Sequence, residues 1–458
     1  MAVLSIVGIV AAVALLVVMA FKGFNIVFTS IVATIVICVF SALNPLTALK
    51  GIYMGVISVT GAFPAESAAD VKTAVGGFSG LIRSYLLLFV LSGVFGKFMA
   101  QCGAVKTLAN LLSKLTKFSK SPAHISVCIM VFLYFILSYI GINGFVTVFT
   151  LLGIGNELFK KTDCPWELYF YGSAGIMGAA LLPGSLYTSN VMANDGMGVG
   201  SAAAPLLSIL MFVVYMALVF ILAKIDIVRL TKKNGGGYLP TGADYDAAPS
   251  VATGSDERIP GALAAIIPML TPIICIVFQL DVLLALTAGI LVCIVFNFNK
   301  FNGLTGMKKA VSEGFAVSVT ALANVAAMTA LVSVMRATSG YQLIIDVFGR
   351  APGLWGLVLT GLMTGAIVGS QSSFLPSMWP DALAKASELG ISNAVVSRMV
   401  ILSGTAYCTP HNSGNVNAIT LTKVKFTKGA MCYIRANFIP GIITLILFML
   451  LVQAKVFI

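Results

Sequence analysis

Near the end of this chain the run YCTPHNSGNVNAI, residues 407–419, interrupts strongly apolar sequence with Thr409, Pro410, His411, Asn412, Ser413, Gly414, Asn415 and Asn417. A helix cannot continue through it, because proline lacks the backbone donor and its ring clashes with the preceding turn. In hydrocarbon, non-helical backbone survives only where protein buries it or where it lines a wet cavity. The run therefore demands a fold with a polar interior at membrane depth. A matching run, LLPGSLYTSNVMAND at 181–195, lies upstream. In both, an asparagine follows a proline seven residues later, Pro183 to Asn190 and Pro410 to Asn417. Paired breaks of this kind are how secondary transporters hold substrate and coupling ion.

The membrane setting rests on composition. The chain is 59% hydrophobic and only 10% charged, with a mean hydropathy of +1.01. Its repeated apolar segments, each of roughly 18–25 residues, define an all-α polytopic protein. The formal charge of +12 is read as the Lys/Arg excess of cytoplasmic loops rather than as a nucleic-acid surface. The eight cysteines are scattered through apolar sequence without CxxC or metal spacing and read as small buried hydrophobes. No metal or cofactor is expected. The first apolar segment lacks a basic n-region and reads as a retained span.

The segments repeat in order, which gives a first half at 1–225, a cytoplasmic linker at 226–260 and a second half at 261–458. Within the linker, residues 229–258 are rich in Gly, Pro, Asp and Ser. Spans at 2–20 and 24–42 correspond to 261–279 and 281–298. LTALK (Leu46–Lys50) corresponds to LTGMK (Leu304–Lys308), and the third spans run through 76–103 and 313–340. The first half carries an extra stretch near 55–75. Each half then has two short apolar arms around a polar tip, SYIGINGF (138–145) and GSQSSF (369–374). We read these pairs as re-entrant hairpins, with two ordinary spans as the alternative. Asn143 to Asn190 and Ser370 to Asn417 are both 47 residues apart.

Five crossings plus a hairpin per half put the two halves in opposite orientations, as inverted repeats. With the linker in the cytoplasm, the inside face collects Lys106, Lys114, Lys117, Lys120, Lys160, Lys161, Lys232, Lys233, Lys308, Lys309, Lys423, Lys425 and Lys428 among others. Only Lys50, Lys72, Arg350, Lys385 and Lys455 fall outside, which satisfies the positive-inside rule. Residues 104–120 put Leu108, Leu111, Leu112, Leu115 and Phe118 on one helical face and lysines on the other, the pattern of an interfacial helix.

The apolar spans hold hardly an Asp or Glu, so a carboxylate relay is not expected. The breaks and tips offer hydroxyls and amides instead: Asn143, Ser185, Thr188, Ser189, Asn190, Ser370, Gln371, Ser372, Ser373, Thr409, Asn412, Ser413, Asn415 and Asn417. Half-helix N-termini meeting there favour a carboxylate, and hydroxyls and amides suit a polar acid. A purely structural role, satisfying the broken backbone, is the plain alternative. His411 is the one titratable side chain in the breaks. It reads either as the proton-carrying coupling group or as a neutral donor that fixes the loop. Arg83 and Arg398 are intramembrane candidates for pairing with an anion, Arg398 the better placed. His124, after Pro122, reads as structural.

The LPGSLYTSNVMAND and TPHNSGNVNAI runs, with the doubled hairpin and broken helix, resemble the gluconate permease (GntP) family of the ion transporter superfamily across nearly the whole chain. The resemblance implies a multi-pass protein of the bacterial cytoplasmic membrane that imports a small organic acid with protons: gluconate, a related sugar acid, hydroxybutyrate or D-serine. It also implies homodimers in which a transport domain moves as an elevator against a scaffold domain. Its substrate site would comprise Asn143 and Gly144, Pro183 to Asn190 with Gly184, Ser370 to Ser373, and Pro410 to Asn417 with Gly414. Sugar-acid members carry a His- and Pro-rich first break, whereas here it reads Pro183, Gly184, Ser185, Leu186. That departure shifts the expectation from gluconate itself to the organic-acid class. Sodium coupling is the rival within transport. A membrane enzyme would need clustered carboxylates or histidines near an interface, and a channel would need charged rings.

Overall fold

The computed structural model describes residues 1–53, 77–234, 237–238, 259–409 and 411–456. The extra stretch near 55–75, most of the linker and Pro410 lie outside them, as do the side chains of Ser413 and Asn417. The first half runs α1 (Ala2–Phe21), α2 (Ile26–Phe40), α3 (Pro45–Ala48, continued by a π turn, Leu49–Tyr53), α4 (Gly77–Gln101) and α5 (Ala104–Ser113). It continues with α6 (Pro122–Tyr139), α7 (Gly144–Lys161), α8 (Ser173–Leu181, entered through a 3-10 segment, Trp166–Gly172), α9 (Thr188–Met197) and α10 (Pro205–Asn234). The second half runs α11 (Ala262–Val277), α12 (Val282–Asn297), α13 (Gly303–Arg336), α14 (Ser339–Gly349) and α15 (Trp355–Val368). It ends with α16 (Gln371–Leu389), α17 (Asn393–Ser403), α18 (Ser413–Thr422), α19 (Phe426–Tyr433) and, after a π turn at Ile434–Phe438, α20 (Ile439–Gln453). Among the described residues there is no strand, and seven helices are long and apolar enough to cross a membrane.

The order of the second half repeats that of the first, and the packing is reciprocal. Helix α2 lies on α13 while its counterpart α12 lies on α4; α1 lies on α14 while α11 lies on α5. A two-fold relation between the halves produces this exchange of partners. At its centre α4 and α13 cross at glycines. A Cβ on Gly93 would stand 2.7 Å from the Gly314 carbonyl, and one on Gly314 would stand 2.7 Å from the Val94 Cα. Only small residues let two helix backbones approach this closely. The packing separates into two bundles, α1–α5 with α11–α14 and α6–α10 with α15–α20, joined where α13 meets α16 and where α14 meets α15.

Several expectations are corrected. The arms of the first hairpin are not short: α6 and α7 have 18 residues each, roughly 27 Å at 1.5 Å per residue, and α6 is apolar enough to cross. Helix α10 continues through 226–234, inside the stretch assigned to the linker, because Ile227, Val228 and Leu230 prolong its apolar pattern. Further on, the Tyr238 carbonyl accepts from the Trp166 amide at 3.0 Å. Along 104–120, Val105 and Ala109 are buried while Leu115 and Phe118 of the predicted apolar face are exposed, Phe118 at 87%, which leaves the expectation of an interfacial helix standing. Arg83 is exposed on α4 rather than enclosed at the breaks.

Candidate functional site

The first hairpin turns where Gly141, at φ +92°, lets the Ile142 amide reach back to the Leu137 carbonyl at 2.9 Å, a glycine closure of the helix end. Ser92 of α4 donates to the Gly141 carbonyl, so the tip is held by the other bundle. Asn143, buried, supplies the carbonyl that starts α7.

The first break begins at Pro183, which has no donor for the helical ladder. Its loose backbone groups are satisfied by the tip of hairpin one. The Tyr139 hydroxyl donates to the Pro183 carbonyl at 2.8 Å, and the Leu186 amide donates to the Tyr139 carbonyl at 2.9 Å. Gly184 takes φ +75°, and its amide reaches the Ser201 carbonyl at 2.9 Å. Ser185 Oγ accepts from the Tyr187 amide at 3.1 Å, and Asn190 Nδ2 donates to the Ser185 carbonyl at 2.7 Å. Gly144 lies beside Tyr187: a Cβ there would be 3.8 Å from the tyrosine oxygen.

The second break is tied to its own hairpin by side chains instead. Gly369 (φ +59°) closes α15, and Ser370 caps α16, accepting from the Ser373 amide at 3.4 Å and the Ser373 hydroxyl at 2.9 Å. Asn412 caps α18 through the Asn415 amide at 2.8 Å while its Nδ2 donates to the Gly369 carbonyl. His411 Nε2 lies 2.8 Å from the Ile367 carbonyl and 3.4 Å from Thr409 Oγ1. A carbonyl only accepts, so Nε2 carries the proton and Nδ1 presents a lone pair. Among the described residues that nitrogen has no partner, and the residue is only 5% exposed.

The four sequence-predicted groups thus come together. Hairpin one meets break one, Ser189 of break one meets Ser372 of hairpin two at 3.0 Å, hairpin two meets break two, and α18 packs back on α7. Four helices, α7, α9, α16 and α18, start in this ring, each directing the positive end of its dipole inward. Gln371 points away from it, its Nε2 donating to the Ile401 carbonyl at 3.1 Å.

Arg398 is 1% exposed. Its Nη1 donates to Asn190 Oδ1 at 2.5 Å, Nη2 to Asn194 Oδ1, and Nε to Ser397 Oγ at 3.1 Å. All three partners are neutral, and among the described residues it pairs with no carboxylate. Both ends of the Asn190 amide are therefore occupied within the protein. Sequence reasoning missed Asn194, although it lies one turn past Asn190 on the same helix face. It also missed Tyr139, Tyr187 and Tyr407, whose apolar rings hide their hydroxyls in a hydropathy reading. Two carboxylates are nevertheless buried: Asp226, 0% exposed in α10, and Glu167 of the 3-10 segment, whose carboxylate meets Lys428 Nζ at 2.8 Å. Asp226 falls within 226–260, the stretch that the sequence reads as linker.

No family model and no curated protein matches the chain in sequence. Its fold is similar to that of the Alcanivorax borkumensis YdaH transporter, whose crystal structure is described as having an unusual topology. The superposition has a TM-score of 0.56 at 15% identity and covers 93% of this chain and 98% of that one. The chain has the fold of a membrane transporter and is a multi-pass membrane protein.

Proposed function

We propose that the protein is a secondary active transporter that imports a small organic anion with protons through the bacterial cytoplasmic membrane. The observation that carries this reading is Arg398, a buried cation whose partners among the described residues are all neutral, beside the first break. A buried charge without a counter-charge is costly, and an anionic ligand relieves that cost. The four helix N-termini add positive potential without a titratable group. Ser189, Ser372, Thr409 and the free Nδ1 of His411 supply hydroxyl donors and an acceptor for a hydroxylated acid, the class suggested by the resemblance to gluconate permeases. The bundle of α6–α10 with α15–α20 is the transport domain and the other bundle the scaffold of an elevator, functioning as a homodimer.

Uptake into proteoliposomes tests this, using labelled gluconate, a shorter sugar acid, 3-hydroxybutyrate and D-serine under separate proton and sodium gradients. Accumulation of at least one acid under an inward proton gradient, lost in Arg398→Gln, is expected. No accumulation of any of them, or accumulation in Arg398→Gln equal to the native protein, would overturn the reading. Uptake dependent on sodium at every pH would replace the proton assignment.

A further inference from the structure

Helix α13 of one bundle runs beside α16 of the other. Thr329 Oγ1 donates to the Ser373 carbonyl at 3.1 Å, and further along both helices Arg336 reaches Asp381. Seven residues separate the two contacts on α13 and eight on α16, so the helices lie side by side in the same direction for about two turns. Arg336 is the last residue of α13, where a cation also suits the helix dipole. Its Nη1 donates to Asp381 Oδ2 at 2.8 Å and its Nη2 to Asp381 Oδ1 at 3.0 Å. Nη1 also donates to the Ser377 carbonyl at 2.5 Å. The fork thus grips two successive turns of α16, with the paired bonds that make guanidinium–carboxylate contacts strong.

The hydroxyl contacts between the bundles are of a weaker kind. Ser92 and Thr329 each donate to a backbone carbonyl across the boundary, and Thr329 Oγ1 also has the Val325 carbonyl of its own helix at 2.9 Å. Thr329 therefore keeps a partner when the neighbouring helix leaves. The Lys97–Glu313 pair lies inside one bundle, and Arg435–Asp226 and Lys428–Glu167 lie inside the other, so each travels with its bundle. Arg336–Asp381 crosses the boundary, and movement between the bundles pulls its charges apart. The Arg336 side chain is 13% exposed and that of Asp381 32%, so the pair is partly withdrawn from solvent.

Neighbouring charge fixes the register of the pair. Lys385 lies four residues past Asp381 on the same face of α16, where it pairs with Glu388 at 2.8 Å. A slide of α16 by one turn, about 5.4 Å, toward the start of α13 would bring Lys385 level with Arg336. Repulsion would then replace attraction. A slide by one turn the other way would bring Ser377 level with Arg336, and serine offers no carboxylate.

We propose that the Arg336–Asp381 pair is a latch that holds the transport bundle in the register seen here and opens each time that bundle moves along α13. The inference rests on the elevator reading proposed above. The attraction exists in this register alone. Removing it therefore disfavours this register relative to every other and shifts the population toward them.

Pulsed-EPR distances on the full reconstituted chain test the latch. Spin labels are placed at Asp346→Cys of α14 and Ser387→Cys of α16, both exposed, with the native cysteines replaced. The labelled protein with the pair intact should show one main distance. Arg336→Gln, Asp381→Asn and Arg336→Gln/Asp381→Asn should each raise the population of a second distance about fivefold. The double variant should do so no more than either single one, because the two residues act through one contact. Arg336→Lys keeps the charge without the fork and should fall between. Distance distributions that match the intact pair in every variant overturn the latch, as does a double variant whose effect is the sum of the two singles. If a single variant misfolds, the double variant, which strands no charge, decides by the same distances. If that misfolds too, the pair is a structural staple and the latch fails. Gluconate, 3-hydroxybutyrate and D-serine are also added to the protein with the pair intact. A distance that responds to an acid there, with no second distance in the variants, defeats the latch alone. No response to any acid and no second distance in any variant defeats the elevator reading as well.

Discussion

Arg398 Nη1 lies 2.5 Å from Asn190 Oδ1, tying the helix that leads into the second break to the helix that leads out of the first. The contact joins one half of the chain to the other at the point where both are broken. A substrate carboxylate that drew the guanidinium away would release Asn190 and Asn194 together, so binding and the local geometry of both breaks are linked through one side chain.

Replacing Arg398 should therefore remove anion binding even where charge is kept. Arg398→Lys presents a single point charge that cannot fork to two amides. We expect both Arg398→Lys and Arg398→Gln to weaken binding of the best acid at least about tenfold, ~1.4 kcal/mol. Isothermal titration in detergent reads this directly; unchanged affinity in the lysine variant would mean the fork is not used.

Asn190 gives a sharper variant. Asn190→Ala leaves an Arg398 donor buried without an acceptor, a loss of about 1–3 kcal/mol, and uptake should nearly vanish. Asn190→Asp does the opposite: it offers Arg398 an internal carboxylate of the same shape. That protein should melt at a higher temperature than the native one and yet bind no acid. A variant that is both more stable and still active would show that Arg398 does not meet the substrate. Asn417→Ala, at the mirrored position, should also abolish uptake while the protein folds.

Much of the architecture was written in local chemistry. Pro183 marks the end of α8, and the equal distances from Pro183 to Asn190 and from Pro410 to Asn417 revealed the repeat. The spans at 2–20, 24–42, 261–279 and 281–298 reappear as α1, α2, α11 and α12 within a few residues. Other features were hidden for definite reasons. Ser126, Ser138 and the polar tip that follows made the first arm of hairpin one look interrupted in sequence, although α6 runs unbroken from Pro122 to Tyr139. Asp226 sits among Lys224, Arg229 and Lys232 in sequence, so it looked like part of a solvated end. Only the packing of α10 against the turn that carries Arg435 turns it inward. Likewise, nothing in sequence says that the two amides available to Arg398 lie in the other half of the chain.

The orientation of the halves is accessible to labelling. Single cysteines at positions in 113–120 and 229–258, placed in a background with the native cysteines replaced, should react with an impermeant maleimide only from the cytoplasmic side. Cysteines at Asp281 and Arg350 should react only from outside. Labelling of the linker from outside would reverse the charge argument and with it the direction assigned to every loop.

The crossing of α4 and α13 should be the least tolerant place in the fold. Gly314→Ala forces a methyl against the Val94 backbone, which cannot move as a side-chain tip can. A cost of about 1–3 kcal/mol follows from such overpacking, visible as a lower melting temperature in detergent. Gly349→Ala meets nothing within 4 Å and should change stability by less than ~0.5 kcal/mol.

His411 separates fixing a loop from carrying a proton. Its Nε2 donates to the Ile367 carbonyl at 2.8 Å while Nδ1 is left as a buried acceptor. His411→Gln keeps a donor for that carbonyl through its amide but removes both the titration and the Nδ1 lone pair. If Nδ1 accepts a substrate hydroxyl, the variant should fold, exchange acids and still accumulate them under a proton gradient. Its affinity should fall about tenfold for hydroxylated acids, ~1.4 kcal/mol, and little for the same acids without the hydroxyl. His411→Ala, which also frees the Ile367 carbonyl in a dry site, should in addition lose about 1–3 kcal/mol of stability. Equal losses for hydroxylated and deoxy acids would make His411 a loop fastener alone. Normal exchange without proton-driven accumulation would instead make it the carrier.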